Sequence, residues 1–389
     1  MSTGNTLTNL IPTLYTALDV VSRELVGFIP AVSRDSKFER AAVGQTVRSH
    51  VAPAATAGDI TPAVTPPDDG EQSIGNIDLA ITKARRVPVR WQGEESRQMN
   101  SEGGPTVNAI MVDQFAQAMR TLTNEIETDL GALYVHASRA IVPNSSTLFS
   151  ATLKDGAAAL KVLLDNGAPT GDLQCVIDTG TGAALRGLGA LNAVDSSGDT
   201  NLLRQGILGD IFGLKIRESA GVVTVGAIGT EASATVDAAA YAKGDTALTL
   251  AAAGTGTVLA GDIVSIVGDP NYYVNKTLIS AVSGGALTLN NPGLMQALAI
   301  STTPAISLRA VGSRSMAFSR SAIVLATRAP ALPEEGDMAV DRTFISDPRS
   351  GLTFEVAKYM QYRQVQYEIS IAWGVKAAKE EHIVLLAGA

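Results

Sequence analysis

The longest stretch of helical periodicity in the chain runs from Thr106 to Ala140. Apolar residues recur there at steps of three and four, which places them along one side of a helix. These residues are Val107, Met111, Phe115, Ala118, Leu122, Ile126, Leu130, Leu133 and Ala137. At ~1.5 Å per residue such a helix would be about 50 Å long. Because the period is not a strict heptad, we predict a single spine with sheets packed along it rather than a coiled coil.

The ends and the polar side of this spine are also marked in the sequence. A Gly-Gly-Pro turn precedes the stretch, and Pro143 and Asn144 end it. Five polar residues are predicted to fall on or beside the side opposite the apolar stripe: Asp113, Arg120, Asn124, Glu127 and Arg139.

A long two-stranded arm is predicted before the spine. Val43–His50 has the pattern of a strand, and residues 51–72 carry several prolines and an Asp-Asp-Gly turn, which exclude a helix or a central strand. Alternation resumes at Ile77, Leu79, Ile81, Val87, Val89 and Trp91. Because an isolated hairpin is marginal in water, we expect an arm over Val43–Trp91 to lie on another surface, such as a second subunit.

Helices and strands alternate on either side of these elements, which predicts an α+β protein. An amphipathic helix is predicted over Leu7–Leu25, with Gly27 and Pro30 as its stop. After the spine the predicted elements are a helix at Thr152–Asn166, a buried strand at Leu173–Ile177, a small helix at Gly182–Leu191 and a strand pair within Ile207–Ile216.

The composition changes at Gly221, where Ala, Gly, Thr and Val become dominant. Short alternating runs separated by Gly, Asp and Asn turns are typical of a small β-barrel or sandwich. The runs are Ala247–Leu250, Ile263–Val267, Thr277–Ile279 and Ala286–Leu289. We interpret residues 221–310 as an inserted domain.

The earlier character returns at Ser315. Strands are predicted at Ala322–Ala326, Thr353–Val356, Gln366–Trp373 and His382–Leu386, with a rigid connector at Ala329–Pro333. The predicted divisions are an N-terminal helix and arm (1–42), an extended loop with adjoining strands (43–104), the spine helix (105–150), an α+β domain (151–220), the inserted β-barrel (221–310) and a return to the earlier domains (311–389).

Charge and cysteine content narrow the function. A net charge of -8 argues against a nucleic-acid reader, which would show a basic stripe, and the densest basic cluster, Lys83–Arg86, falls in a strand. The single cysteine excludes an internal disulfide. Since no basic and apolar leader and no run of ~18 apolar residues is present, we expect a soluble protein made in the cytoplasm.

Several residues are candidates for catalysis or metal binding, and none of them forms an active-site motif in the sequence. His50, His136 and His382 lack metal-ligand spacing, so structural roles are favoured. Asp178-Thr179-Gly180 matches an aspartic-protease triplet, but only one copy is present and its place between a strand and a helix favours a helix cap.

Two weaker motifs, a possible dinucleotide-binding loop and a possible nucleophilic cysteine, also have structural interpretations. Gly187-Leu188-Gly189 lacks the third glycine of a dinucleotide loop, and Cys175 lies in an apolar strand. We therefore predict no enzyme and no catalytic, cofactor-binding or metal-ligating residues.

The order of elements resembles that of the tailed-bacteriophage major capsid proteins, whose type fold is that of the Hong Kong ninety-seven phage. In amino-acid sequence the chain looks closest to the short-tailed-phage, P-twenty-two-type coat family, which carries an inserted β-barrel. The similar passages are 7–12, 206–219, Ala317–Pro330, Asp347–Thr353 and Trp373–Val375.

The resemblance implies a fold and a role. The spine would belong to a peripheral domain, the arm would overlap a neighbouring subunit, and residues 152–220 would form an axial domain at the centre of hexamers and pentamers. The subunits would form an icosahedral head that is first a procapsid and then an expanded shell around double-stranded DNA, which they contact weakly and non-specifically.

The resemblance also implies partners and a location. The partners are further copies of the chain, a separate scaffolding protein, a portal protein and a decoration protein, with no membrane. The location is the virion, after assembly in the host bacterial cytoplasm. Because the arm offers only Lys83, the Lys–Asn cross-link of some relatives is not carried over. The alternative is a surface protein whose inserted β-domain binds a carbohydrate or receptor through Tyr241, Tyr272 and Tyr273.

Overall fold

The computed structural model describes residues 26–51, 57, 59–60, 62, 64–65, 75–95, 97, 107–143, 147–150, 152–192, 209–299, 303–309, 311–346 and 351–388. The helix predicted over Leu7–Leu25 lies outside these residues. The mixture of helices and strands confirms the α+β class expected from the sequence.

The elements are numbered in chain order. The helices are α1 (Val107–Gly131), α2 (Lys154–Asp165), α3 (Thr179–Arg186) and α4 (Gly189–Asn192). The strands are β1 (Ser33–Ala41), β2 (Thr46–Val51), β3 (Gly75–Ala80), β4 (Lys83–Gln92), β5 (Arg139–Ile141), β6 (Leu173–Ile177), β7 (Asp210–Ile211), β8 (Leu214–Glu218), β9 (Thr224–Val225), β10 (Ala247–Thr249), β11 (Ile263–Ile266), β12 (Tyr272–Val274), β13 (Ala286–Thr288), β14 (Ile306–Arg309), β15 (Gly312–Ser319), β16 (Ile323–Pro330), β17 (Ala339–Ser346), β18 (Thr353–Gln361), β19 (Gln364–Ala377) and β20 (Ile383–Ala387).

A six-stranded sheet carries the spine helix α1. Its order is β1-β16-β19-β18-β17, and β4 also pairs with β19. The β1–β16 pair is parallel, and the others are antiparallel. Alternate residues of β19 face α1 and join the main hydrophobic core, among them Ile371 and Trp373. Phe115 of α1 meets Tyr367 of β19 edge to face at 5.6 Å between ring centroids.

A ten-stranded sheet forms the second half of the fold. Its order is β14-β11-β12-β5-β20-β15-β6-β8-β7, with β9 paired to β15. Helices α2 and α3 pack on it over a separate hydrophobic cluster that includes Leu163, Leu185 and Cys175. The predicted strand at Leu173–Ile177 is confirmed as β6, and the helix predicted over Thr152–Asn166 is confirmed as α2, which begins and ends slightly inside those bounds. The small helix predicted at Gly182–Leu191 is two shorter helices, α3 and α4.

The segment after Gly221 has a hydrophobic cluster of its own, built from residues such as Val236, Leu250 and Leu287. Its strands do not all stay within the segment. β10 and β13 form a two-stranded sheet, whereas β11, β12 and β14 extend the ten-stranded sheet because β12 pairs with β5. The predicted strand at Thr277–Ile279 is wrong, since only Ile279 forms an isolated bridge there. The domain boundaries and the barrel form remain predictions.

The spine is shorter than its apolar stripe predicted. Helix α1 ends at Gly131, about 37 Å from its start, and a 3-10 turn over Ala132–His136 leads into β5. An added Cβ on Gly131 would overlap the carbonyl of Gly221, so another chain segment passes against the helix where it ends. Two polar residues predicted on its outer side, Glu127 and Arg139, are only 3% exposed.

Two boundaries elsewhere also need correction. The connector predicted at Ala329–Pro333 is partly wrong, because Ala329 and Pro330 belong to β16. Within the region predicted as N-terminal helix and arm, Ser33–Ala41 is a strand that pairs with β16. Charged residues interrupt the alternation of apolar and polar positions in this strand, and such a pattern is typical of a loop.

Candidate functional site

The most unusual feature of the described structure is a hairpin arm made of β2 and β3. The two strands pair antiparallel from Thr46 opposite Ala80 to Val51 opposite Gly75. Arg48 and Asp78 form an exposed cross-strand ion pair at 2.8 Å, which holds the pKa of Asp78 below its ordinary value. The arm is shorter than predicted, because β4 leaves the hairpin and pairs with β19 instead.

The tip of the arm exposes apolar side chains. Ile60 is 99% exposed and Val64 is 105% exposed, the two highest values among the large hydrophobic residues of the described chain. Neither side chain belongs to any of the hydrophobic clusters of the subunit. Two apolar side chains held away from their own core are typical of a surface that another molecule covers.

The base of the arm is fixed firmly to the six-stranded sheet. Leu79 and Ile81 are buried against Ala326 and Ala372, on the face opposite α1. The backbone of β3 crosses so close to β19 that an added Cβ on Gly374 would overlap the carbonyl of Ala80. The base of the arm therefore has a defined position on the six-stranded sheet.

Two hydrogen bonds reinforce this base. Lys376 donates to the carbonyl of Asp78 at 2.8 Å, and Thr82 N donates to the Trp373 carbonyl at 3.0 Å. The first bond comes from a side chain and the second joins two backbone groups, and both connect the base of the arm to β19.

The basic cluster in β4 is neutralised within the chain. Lys83 contacts Asp129 at 2.7 Å, and Arg85 contacts Glu125 at 3.2 Å, both on α1. Arg86 contacts Glu368 of β19 at 2.6 Å. Because these cations already have carboxylate partners, β4 is not a stripe aimed at phosphates.

A network of charged side chains links β1, β17 and β18. The side chain of Glu355 is only 3% exposed and accepts from Arg40 at 2.7 and 2.9 Å and from Arg342 at 2.8 Å. Arg342 also pairs with Asp337 and holds the pKa of that carboxyl at about 2. Beside this network the edge strand exposes Val340, which is 57% accessible.

The sequence-predicted chemical residues are placed in structural roles. Asp178 caps α3, because its side chain accepts from the N–H of Gly180 at 3.0 Å and from that of Thr181 at 3.2 Å. Burial alone would raise the pKa of Asp178, but the bonds from Thr181, Ser313 and Gly180 outweigh it and lower the pKa. The helix-cap interpretation is confirmed.

The remaining candidates do not converge. Cys175 is buried, and burial raises the pKa of its thiol to about 12. His136 contacts Glu380 at 3.1 Å, and His382 is buried in the adjacent turn; the side chain of His50 lies outside the description. Within the described ranges no three His, Cys, Asp or Glu side chains come together as a metal-binding group, and no helix is long and apolar enough to cross a membrane.

The three tyrosines named for the alternative function, carbohydrate or receptor binding, are not all exposed. Tyr273 is fully buried, and the Tyr241 hydroxyl bonds Asp237 at 2.7 Å. Tyr272 is partly buried against the main core. Stacking on a sugar needs an exposed ring face, which Tyr273 does not offer.

Two polar groups that matter most to the structure were missed or misplaced by sequence reasoning. The sequence pattern predicts Glu127 on or beside the polar side of the spine, and it predicts Glu355 only as a member of a strand. Their partners lie 92 to 100 residues away for Glu127 and up to 315 residues away for Glu355, so no local pattern marks them. The one available signal for Glu127 is its place beside Ile126 and Leu130 in the apolar stripe.

No protein-family model and no curated protein matches this chain. Among solved structures, it is similar to "Mycobacterium phage Che8" at 14% identity and TM-score 0.47, over 88% of this chain and 84% of that one. It is similar to "Capsid structure of the Cyanophage P-SCSP1u" at 11% identity and TM-score 0.48, over 92% and 86%. For "Asymmetric unit of bacteriophage PhiM1 mature capsid" the identity is 11% and the TM-score 0.46, over 93% and 86%. Because these TM-scores lie below 0.5, the function proposed below rests on the geometry of this chain.

Proposed function

We propose that this chain is a tailed-bacteriophage major capsid protein, a subunit that assembles with copies of itself into an icosahedral head around double-stranded DNA. The observation that carries the proposal is the hairpin arm, whose base is fixed on β19 while its tip exposes Ile60 and Val64. A rigidly aimed arm without a core of its own is useful where a neighbour in a fixed position covers it.

The charge distribution supports the same function. A shell must hold its cargo without binding it tightly, and the net charge of -8 repels a DNA backbone. Lys83, Arg85 and Arg86, the densest cations in the sequence, are already paired with Asp129, Glu125 and Glu368. The inner surface of such a shell would therefore contact DNA only weakly and non-specifically.

The division of the subunit is part of this proposal. Helix α1 and the six-stranded sheet would form the peripheral domain, and residues 151–220 with β15 and β20 would form the axial domain at the centre of hexamers and pentamers. Residues 221–310 would form the inserted domain, as in the short-tailed-phage, P-twenty-two-type family. Scaffolding, portal and decoration proteins would be the partners, with assembly in the host cytoplasm and the virion as the final location.

The test is the size of the particles that the full chain forms. The chain is expressed alone and together with a candidate scaffolding protein, and the products are examined by sedimentation velocity and negative-stain microscopy. We expect hollow closed shells or tubes of many subunits. A chain that stays a monomer or dimer in both cases would overturn the proposal.

A pair of double variants tests the role of the arm. Ile60→Ser with Val64→Ser removes two apolar side chains from the tip, and Val267→Ser with Leu278→Ser removes two from the inserted segment, where they are 64% and 62% exposed. We expect the first variant to fold but to lose shells, and the second to keep them. Equal assembly by both would remove the arm tip as the contact.

A further inference from the structure

The carboxylate of Glu127, on the spine helix, is buried and accepts hydrogen bonds from uncharged groups. Glu127 is 3% exposed and lies between Ile126 and Leu130, which are fully buried in the main core. Its oxygens accept four hydrogen bonds. The donors are Gly27 N at 2.6 Å, Phe28 N at 2.6 Å, Ile29 N at 3.0 Å and the Ser219 hydroxyl at 2.6 Å. Burial raises the pKa of Glu127, and these hydrogen bonds oppose that rise because they favour the ionised carboxylate.

Three of these donors are consecutive backbone N–H groups. Gly27, Phe28 and Ile29 converge on the one carboxylate, as the N–H groups of an anion-binding nest do. The turn that follows is closed by Ala31 N and Val32 N, which both donate to the Phe28 carbonyl, and it leads into β1. Glu127 therefore fixes the point at which residues 1–25 join the body of the subunit.

The fourth donor belongs to a different part of the chain. Ser219 follows β8, and its Oγ accepts from Gly221 N at 3.0 Å while it donates to Glu127. An added Cβ on Gly221 would lie 2.7 Å from Cγ of Glu127. The same carboxylate thus also fixes the chain where the predicted inserted domain begins.

The two segments touch each other as well as the carboxylate. An added Cβ on Gly27 would lie 2.7 Å from the carbonyl oxygen of Glu218 and 2.9 Å from Cβ of Ser219. Gly27 has no room for a side chain, so the first segment cannot shift without moving the second. The backbone at this crossing has a close-packed arrangement with a single polar centre.

We propose that Glu127 is the positioning residue of a three-way junction, which fixes residues 27–29 and residues 219–221 to the spine helix together, so that the two segments open as a unit. The inference holds for the single subunit and does not depend on the assembly role.

The test is amide hydrogen exchange on the unassembled full chain, read at residues 27–29 and 219–221. In Glu127→Gln the amide group replaces one acceptor oxygen with a donor that faces N–H groups. We expect exchange protection to fall by about tenfold in both segments at once. The matched control is Glu125→Gln on the same helix, whose carboxylate pairs with Lys83 and Arg85 on the surface and should leave both segments unchanged.

The outcomes separate the junction from a simple anchor. Loss of protection at 27–29 with 219–221 intact would overturn the coupling, and no change in either segment would overturn the role of Glu127. If Glu127→Gln does not fold, Ser219→Ala decides the question, because it removes one donor and leaves the charge. We expect Ser219→Ala to lower protection at 27–29 as well as at Gly221; protection at 27–29 equal to that of the parent chain would refute the proposal.

Discussion

Adding a single methyl group to Gly374 should detach the arm without disturbing the core. Gly374 lies in β19, directly under the crossing of β3, and its added Cβ would overlap the Ala80 carbonyl and lie 3.1 Å from the Ile81 Cα. The obstructing atoms are backbone, so no side-chain rotation can relieve the contact. The base of the arm must move away from the sheet by about an ångström in Gly374→Ala.

The expected energy follows from the kind of contact that is lost. Overpacking of a filled site costs about 1–3 kcal/mol. The apolar cluster beneath the arm is small, because Leu79 and Ile81 are buried there with only three alanines, so few apolar contacts oppose this shift. Because every 1.4 kcal/mol is a factor of ten in an equilibrium, we expect the population with the arm correctly seated to fall by about tenfold.

The assay compares folding with assembly in the same preparation. Unfolding by urea and hydrogen exchange over β2 and β3 report the subunit, and sedimentation velocity over a concentration series reports the shells. We expect a small change in global stability, lost protection in the arm and a critical concentration for assembly raised by about tenfold or more. The control is Gly171→Ala, because an added Cβ on Gly171 meets nothing within 4 Å.

Two results would refute this reasoning. If Gly374→Ala assembled at the same concentration as the parent chain while its arm exchanged faster, the seated arm would not be the assembly contact. If instead the whole subunit unfolded as readily as its arm, the arm base would belong to the core and could not be treated as a separate attachment.

Carboxylates that join distant segments should respond to the loss of an oxygen or a charge. Asp178→Ala should lower the free energy of unfolding by about 1–2 kcal/mol and Asp178→Asn by much less, because Asn caps helices equally well; equal losses in urea titrations would contradict the capping role. Glu355→Gln should lower the free energy of unfolding by about 2–3 kcal/mol, because it leaves the guanidinium groups of Arg40 and Arg342 with a weaker partner. The comparison is Glu368→Gln, whose ion pair with Arg86 is more exposed, and an equal loss in both variants would contradict this prediction. Burial would raise the pKa of Glu380, but its hydrogen-bond partners hold the pKa at about 2. Glu380 therefore contributes fully to the free energy of unfolding above the ordinary glutamate pKa, and this contribution is lost as the pH falls. Glu380→Gln should therefore flatten the acid limb of stability between roughly pH 5 and 2, and a variant that keeps the parent slope would refute it.

Periodic patterns in the sequence predict the local elements well. The apolar stripe of the spine is buried at Met111, Phe115, Leu122, Ile126 and Leu130, as its steps of three and four require. Strand β6 has the bounds predicted from its apolar run. In both cases the burial of one continuous apolar surface dominates, and the sequence displays that surface directly.

The failures occur where a distant segment decides the conformation. Helix α1 stops at Gly131 because the chain at Gly221 passes against it, and the apolar pattern beyond it cannot reveal that contact. Strand β12 pairs with both β5 and β11, whereas in the run at Thr277–Ile279 only Ile279 pairs, in an isolated bridge with Val258. Strand formation depends on a partner edge as much as on propensity.

The carboxylates that accept hydrogen bonds inside the fold are spread over it rather than gathered in one cavity. Enzymes concentrate perturbed titratable groups in one cavity, where burial and like charges tune them for proton transfer. Here Glu127, Asp178, Glu355 and Glu380 have separate sets of partners, and each joins segments that are far apart in the chain. Glu127 accepts four hydrogen bonds and Glu355 accepts three, whereas one oxygen of Glu380 has no hydrogen-bond partner among the described residues. A subunit that must keep its arm, spine and inserted segment in fixed relative positions uses buried charge in this way, because a hydrogen-bonded carboxylate specifies one geometry where apolar packing alone would tolerate several.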